Sequence, residues 1–89
     1  MADAAVTMYT GGFCPYCMRA RALLESKGVK WQEIDIEADA AKRAEMIARS
    51  GRRSVPQIFI GEHHVGGSEE LRDLERAGQL DALLHPPSG

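Results

Sequence analysis

Cys14-Pro15-Tyr16-Cys17 carries both cysteines of this 89-residue chain. Ahead of it runs Ala4-Ala5-Val6-Thr7-Met8-Tyr9, apolar and β-prone, and behind it a helical pattern from Met18 to Lys27. The loop Thr10-Gly11-Gly12-Phe13 joins the two, so Cys14 falls at the helix N-cap. Backbone N–H groups there lack intrahelical acceptors, and the helix dipole is positive. Both stabilise a thiolate, which makes Cys14 the attacking thiol. Pro15 suits the first helical position, where its missing N–H costs nothing. Cys17 stands one turn further in, within reach of a small disulfide ring, and is the resolving thiol.

A strand–loop–Cys-x-x-Cys–helix layout reads as a thioredoxin-type redox site. Two other readings compete with it. A zinc site needs about four ligands, and His63 and His64 are the available partners. Their separation from the cysteines fits no zinc spacing, and a Pro-Tyr interior is unusual for a zinc knuckle, so no metal is expected. Two inert buried thiols would gain nothing from a helix N-terminus.

Working outward, Ala4 to Tyr9 is the first strand and Pro15 to about Lys27 the first helix, with Cys17, Ala20 and Leu24 on one face beside Leu23. Gly28 stops that helix. Trp31 to Ile36 alternates as a second strand, parallel to the first through a right-handed βαβ unit. A second helix spans Ala40 to Ser50, capped by Asp39, with Ala40, Ala44 and Ile47 expected inward. Val55 to Ile60 is a third strand opened by a proline. Gly61-Glu62 turns it into His63-His64-Val65, a hairpin. Ser68 is the expected N-cap of a third helix reaching about Ala77, with Glu69 and Glu70 in its first turn. Gly78 breaks it before a short helix around Gln79 to Leu84. His63 and His64 are expected on a solvent-facing hairpin, and Trp31 and Phe59 in the core. The order β-α-β-α-β-β-α predicts an α/β thioredoxin fold, a four-stranded mixed sheet with helices on both faces.

Composition agrees with one small domain, residues 1–84, followed by a flexible tail, 85–89. The chain is 44% hydrophobic and 27% charged, an ordinary globular balance. A net charge of −2 gives no basic footprint for nucleic acid. No apolar run approaches the length needed to span a membrane. Met1-Ala2-Asp3-Ala4-Ala5 lacks the pattern of a secretory signal. A cytoplasmic monomer is therefore expected, and a chain with its transit peptide removed would read the same. In the cytosol a Cys-x-x-Cys pair is catalytic or metal-binding more often than structural.

Three separated motifs, in order, resemble a known family: Cys14-Pro15-Tyr16-Cys17, Ser54-Val55-Pro56-Gln57-Ile58-Phe59-Ile60 and Gly66-Gly67-Ser68-Glu69-Glu70-Leu71. Together they resemble the dithiol glutaredoxins, most closely the short bacterial glutaredoxin 3 type, over about Val6 to Leu84. The resemblance implies a cis Val55-Pro56 bond facing Cys14, with the Val55 backbone pairing with the cysteinyl part of glutathione. It implies that Tyr16 flanks the bound tripeptide. The turn Gly66-Gly67-Ser68-Glu69 leads into a helix N-terminus, a natural anion site. In the family it binds the γ-glutamyl carboxylate through backbone N–H groups, here those of Ser68 and Glu69, with Gly67 allowing the ligand close to the backbone. Glu69 and Glu70 replace the family's usual aspartates. The family's lysine three residues before the nucleophile is Gly11 here, so Arg43, helped by Arg53, must carry more of the glycine carboxylate. Weaker affinity for glutathione is the expected consequence.

The implied activity is glutathione-dependent thiol-disulfide exchange. It would reduce glutathionylated and disulfide-containing proteins through Cys14 and Cys17, with glutathione as co-substrate and no permanently bound cofactor. Reduction by thioredoxin reductase is an alternative within the fold, disfavoured by the Gly66-Gly67 anion site and Arg43. An iron–sulfur carrier bridging two Cys14 thiolates with two glutathiones is another, disfavoured by the stiffening Pro15. A non-catalytic interaction module would show an unreactive Cys14.

Overall fold

The computed structural model describes residues 4–86. Its elements are β1 (Val6–Thr10), α1 (Pro15–Ser26), β2 (Gln32–Asp35), α2 (Ala40–Ser50), β3 (Gln57–Ile60), β4 (His63–Gly66), α3 (Ser68–Arg76) and α4 (Leu80–Leu84). The sheet order is β2-β1-β3-β4, with β1 and β2 parallel and the other pairs antiparallel.

Period-two alternation sorts the side chains of the central strands between two cores. Val6 and Met8 of β1, with Ile58 and Ile60 of β3, meet Ala20 and Leu24 of α1, Leu71 of α3, and Leu80 and Leu84 of α4. The intervening Tyr9 and Phe59 point the other way, onto Ile36 and Met46. Helices therefore cover both faces, and β1 and β3 are sandwiched between them. Lys27 at the end of α1 ties the first layer together through Glu75 of α3, at 2.6 Å, and Asp81 before the middle of α4, at 3.1 Å.

The first three strands are shorter than expected, and β4 is one residue longer. Ala4 donates its N–H to the Leu84 carbonyl, which draws it to α4 rather than into the sheet. Pairing starts at Val6 opposite Ile60. Val55 and Pro56 lie outside β3; their peptide is cis, and Pro56 has no N–H to donate to a ladder. The hairpin from β3 to β4 forms as expected, with a register shift at Ile58/Phe59.

Two helical details differ from the sequence reading. On α2, Ala40 and Ala44 are exposed, Ile47 is half-buried, and Met46 is the buried residue. The helix is rotated because Glu45 and Arg49 both reach the Tyr9 hydroxyl, and the Arg49 guanidinium lies 4.1 Å over the Phe59 ring. Long charged side chains cover apolar surface with their stems, which small alanines cannot do. At α3 the N-cap is Gly67, with Ser68 the first helical residue. The Glu70 carboxylate reaches back and accepts the Gly67 N–H at 2.6 Å, fixing the helix start one residue early. Asp39 caps α2 as expected, accepting the Ala41 N–H at 2.9 Å. Of the expected tail, His85 and Pro86 are exposed, and residues 87–89 lie outside the described residues.

Candidate active site

The loop after β1 delivers Cys14 to the start of α1, where its backbone is still extended and its side chain serves as the N-cap. The Cys17 N–H donates to Cys14 Sγ at 3.1 Å. The Cys14 thiol in turn lies 3.8 Å from the Val55 carbonyl, so Val55 faces the nucleophile across the cis peptide. Both cysteines are free thiols, Cys14 half-buried and Cys17 fully buried. Burial pushes the Cys17 thiol up to about 12, aided by its hydrogen bond to Cys14 and by the charge there. Cys17 is therefore protonated at neutral pH, and Cys14 is the thiol open to an incoming sulfur.

A cleft of about 370 Å³ opens beside Val55. Its wall includes Tyr16, Arg52, Val55, Pro56, Ser68 and Glu69, with Gly67 and Glu70 at the start of α3. The N–H groups of Ser68 and Glu69, at the first two helical positions, have no intrahelical acceptor. The Gly67 N–H is already taken by Glu70. Gly66 has a φ of 111°, and a Cβ there would sit 2.8 Å from Glu70 Oε1. That close approach brings β4 into α3 without a side chain between Glu70 and Arg52, whose charges lie 3.6 Å apart.

Residues 6–65 match the family model for glutaredoxin. The chain belongs to the glutaredoxin family. It is similar to Escherichia coli glutaredoxin 3, 58% identical over 81 residues that cover 91% of this chain and 98% of the relative. Among solved structures it is similar to the glutaredoxin of Brucella melitensis, with TM-score 0.82, 52% identity and coverage of 94% and 91% of the two chains. It also superposes on a buckwheat glutaredoxin–glutathione complex with TM-score 0.83 and 28% identity, covering 91% of this chain and 76% of that one. The chain is thus a glutaredoxin thiol-disulfide oxidoreductase of thioredoxin fold.

Within this glutaredoxin the cleft and its edge bring together Cys14, Tyr16, Val55, Pro56, Gly67, Ser68 and Glu69. Arg43 does not join them: it is exposed on α2, away from the cleft wall. Arg52 stands in the wall instead, a residue the sequence reading passed over for its neighbour Arg53. Arg52 and Arg53 share the turn before Ser54, and nothing local in the sequence chooses between them. Phe13, 89% exposed, was likewise missed; with Tyr16 and Met18 it leaves large apolar side chains open to solvent in the residues flanking the cysteines. Tyr16 is steadied by the Arg19 guanidinium, 5.4 Å from its ring centroid.

His64 is not the solvent-facing residue expected. It is half-buried, stacks on Phe59 with centroids 4.9 Å apart, and bonds Gln57 at 2.7 Å. Burial, then the charges of Arg52 and His63, lower its pKa and favour the neutral ring. Trp31 is only partly buried, its indole N–H held by Glu33 at 3.1 Å, whereas Phe59 is buried as expected.

Proposed function

We propose that this glutaredoxin reduces protein–glutathione mixed disulfides, and more slowly protein disulfides, with glutathione as electron donor. The observation that carries the reading is the unequal pair: an accessible Cys14 beside a buried Cys17 whose thiol is pushed up to about 12. The Cys14 thiolate attacks the glutathione sulfur of the mixed disulfide. The protein sulfur leaves as a thiolate and takes a proton, and glutathione remains on Cys14. A second glutathione thiolate attacks the glutathione sulfur held there, releasing oxidised glutathione and the Cys14 thiolate.

With a protein disulfide, Cys14 attacks one sulfur. Cys17 then loses its proton and attacks Cys14 Sγ, which releases the target thiol and leaves a Cys14–Cys17 disulfide. Two glutathiones reduce that disulfide. A thiol held protonated at neutral pH resolves slowly, which favours the single-cysteine route for glutathionylated targets.

Glutathione lies along the cleft in this reading. Its cysteinyl backbone pairs with Val55, Tyr16 flanks it, and its γ-glutamyl carboxylate meets the free N–H groups of Ser68 and Glu69. Arg52 supplies a cation from the cleft wall, and Arg43 a more distant one from α2. The test is NADPH consumption coupled through glutathione reductase, with a glutathionylated peptide as substrate. Wild type and Cys17→Ser both turn over, Cys14→Ser does not, and Cys17→Ser loses reduction of protein disulfides. Absence of turnover in wild type, or loss of both activities in Cys17→Ser, overturns the assignment.

A further inference from the structure

Gln57 is fully buried at the start of β3, directly after the cis peptide, and is one of the residues that line the cleft. Its Nε2 donates to the Ser54 carbonyl at 3.0 Å and reaches Ser54 Oγ at 3.3 Å. A carbonyl can only accept, so the amide must present its NH2 group to Ser54. Oε1 is then turned away and needs a donor. His64 Nε2, at 2.7 Å, is that donor, and so the ring carries its proton on Nε2.

The ring itself is held. His64 pairs with Phe59 across the hairpin and stacks on it with planes 28° apart. Arg49 lies over the same Phe59 ring. A continuous set of hydrogen bonds therefore runs from β4 through Gln57 to the backbone of Ser54. Residues 54–56 lie outside β3, so the sheet ladder does not hold them. Yet this segment carries Val55, whose carbonyl stands 3.8 Å from Cys14 Sγ.

We propose that His64 is a positioning residue for thiol transfer: acting through Gln57, it fixes the backbone of Ser54 and Val55 at the height where the sulfur-bearing residue of the substrate pairs with it. His64 touches neither the substrate nor the cysteines. The inference rests on the proposed function for its kinetic consequence, while the hydrogen-bond path stands on geometry alone.

Two measurements test it. In wild type, nitrogen chemical shifts of the His64 ring above pH 7 report the neutral Nε2–H form; an Nδ1–H form overturns the proposal without any variant. In the coupled assay, His64→Leu removes the donor, whereas His64→Gln retains an N–H at similar reach. The expected result for His64→Leu is a KM for a glutathionylated peptide raised about five- to tenfold, as for one lost buried hydrogen bond, with kcat within about twofold. His64→Gln recovers most of that loss. A His64→Leu enzyme with unchanged KM, or a His64→Gln enzyme as impaired as His64→Leu, overturns the proposal. Absence of turnover in wild type would instead overturn the proposed function and leave the ring measurement to decide the hydrogen-bond path.

Discussion

The Cys17 N–H points at Cys14 Sγ from 3.1 Å, so the two cysteines are hydrogen-bonded partners before any covalent bond joins them. The bond uses the backbone of Cys17 and leaves its thiol buried behind the reacting sulfur. A thiol whose pKa is raised stays protonated at pH values below that pKa. At pH 7 to 9 iodoacetamide should therefore add once, at Cys14, with Cys17 modified only after unfolding. Intact-mass and peptide mass spectrometry check this, and double alkylation of the folded protein at pH 8 would contradict the burial of Cys17.

The two arginines make a sharper contrast. Arg52 lines the cleft and Arg43 does not, although the sequence favours Arg43. Arg52→Gln should raise the KM for glutathione about three- to tenfold, in the range of one charge-assisted contact. Arg43→Gln should change it by less than about twofold. Steady-state kinetics with varied glutathione separates them, and the reverse ranking would move the carboxylate site onto α2.

Gly11 holds the position where the family carries a lysine. A Cβ there meets Ile36 and the Glu37 side chain at 3.4 Å, at the near edge of ordinary contact, so the position has room for the first carbon of a side chain. Gly11→Lys should lower the KM for glutathione about two- to fivefold, the scale of a solvent-screened ion pair. Glu37 sits close enough to compete for the new ammonium group. Combining Gly11→Lys with Glu37→Gln should lower the KM further. An unchanged KM in both variants would show that this position contributes nothing to binding here.

Glu33 of β2 ties the sheet to α1. Arg21 of α1 grips its carboxylate with Nε and Nη2 at 2.6 to 3.1 Å, which holds the Glu33 pKa below the usual carboxylate value. A depressed pKa adds stability above the unfolded pKa, and that stability is lost as pH falls through the folded value. The pair is a third exposed, so its share is about 0.5–1 kcal/mol. Thermal melts should show Glu33→Gln less stable than wild type at pH 7, with the difference shrinking as the pH falls below the usual carboxylate range. A difference that does not shrink on acidification would place its origin outside the ion pair.

Much of this was legible in the sequence because the signals were local. Cys14 before Pro15 marks a helix start, Gly28 and Gly51 mark helix ends, and the alternation from Trp31 to Ile36 marks a strand. What escaped were choices made by neighbours distant in sequence. The inward face of α2 depends on Tyr9, 36 residues before Glu45, offering its hydroxyl. The choice of Arg52 over Arg43 depends on how the turn before Ser54 meets α3. His64 looked like surface because its partners, Gln57 and Phe59, are brought to it only by the hairpin register. The start of α3 moved by one residue because the Glu70 carboxylate folds back onto the Gly67 N–H.

The strand order also decides what the two borders of the sheet offer to another chain. One border is β2, where Gln32, Glu33 and Asp35 are all exposed and two of the three are carboxylates. The other is β4, four residues long, disturbed by a register shift and ended by Gly66. Repulsion guards the first border, and brevity with irregular pairing guards the second. The apolar strands β1 and β3 lie between them, out of reach of an unfolded strand seeking a template. Cys14 is thus carried by a sheet whose two borders both discourage the addition of a further strand.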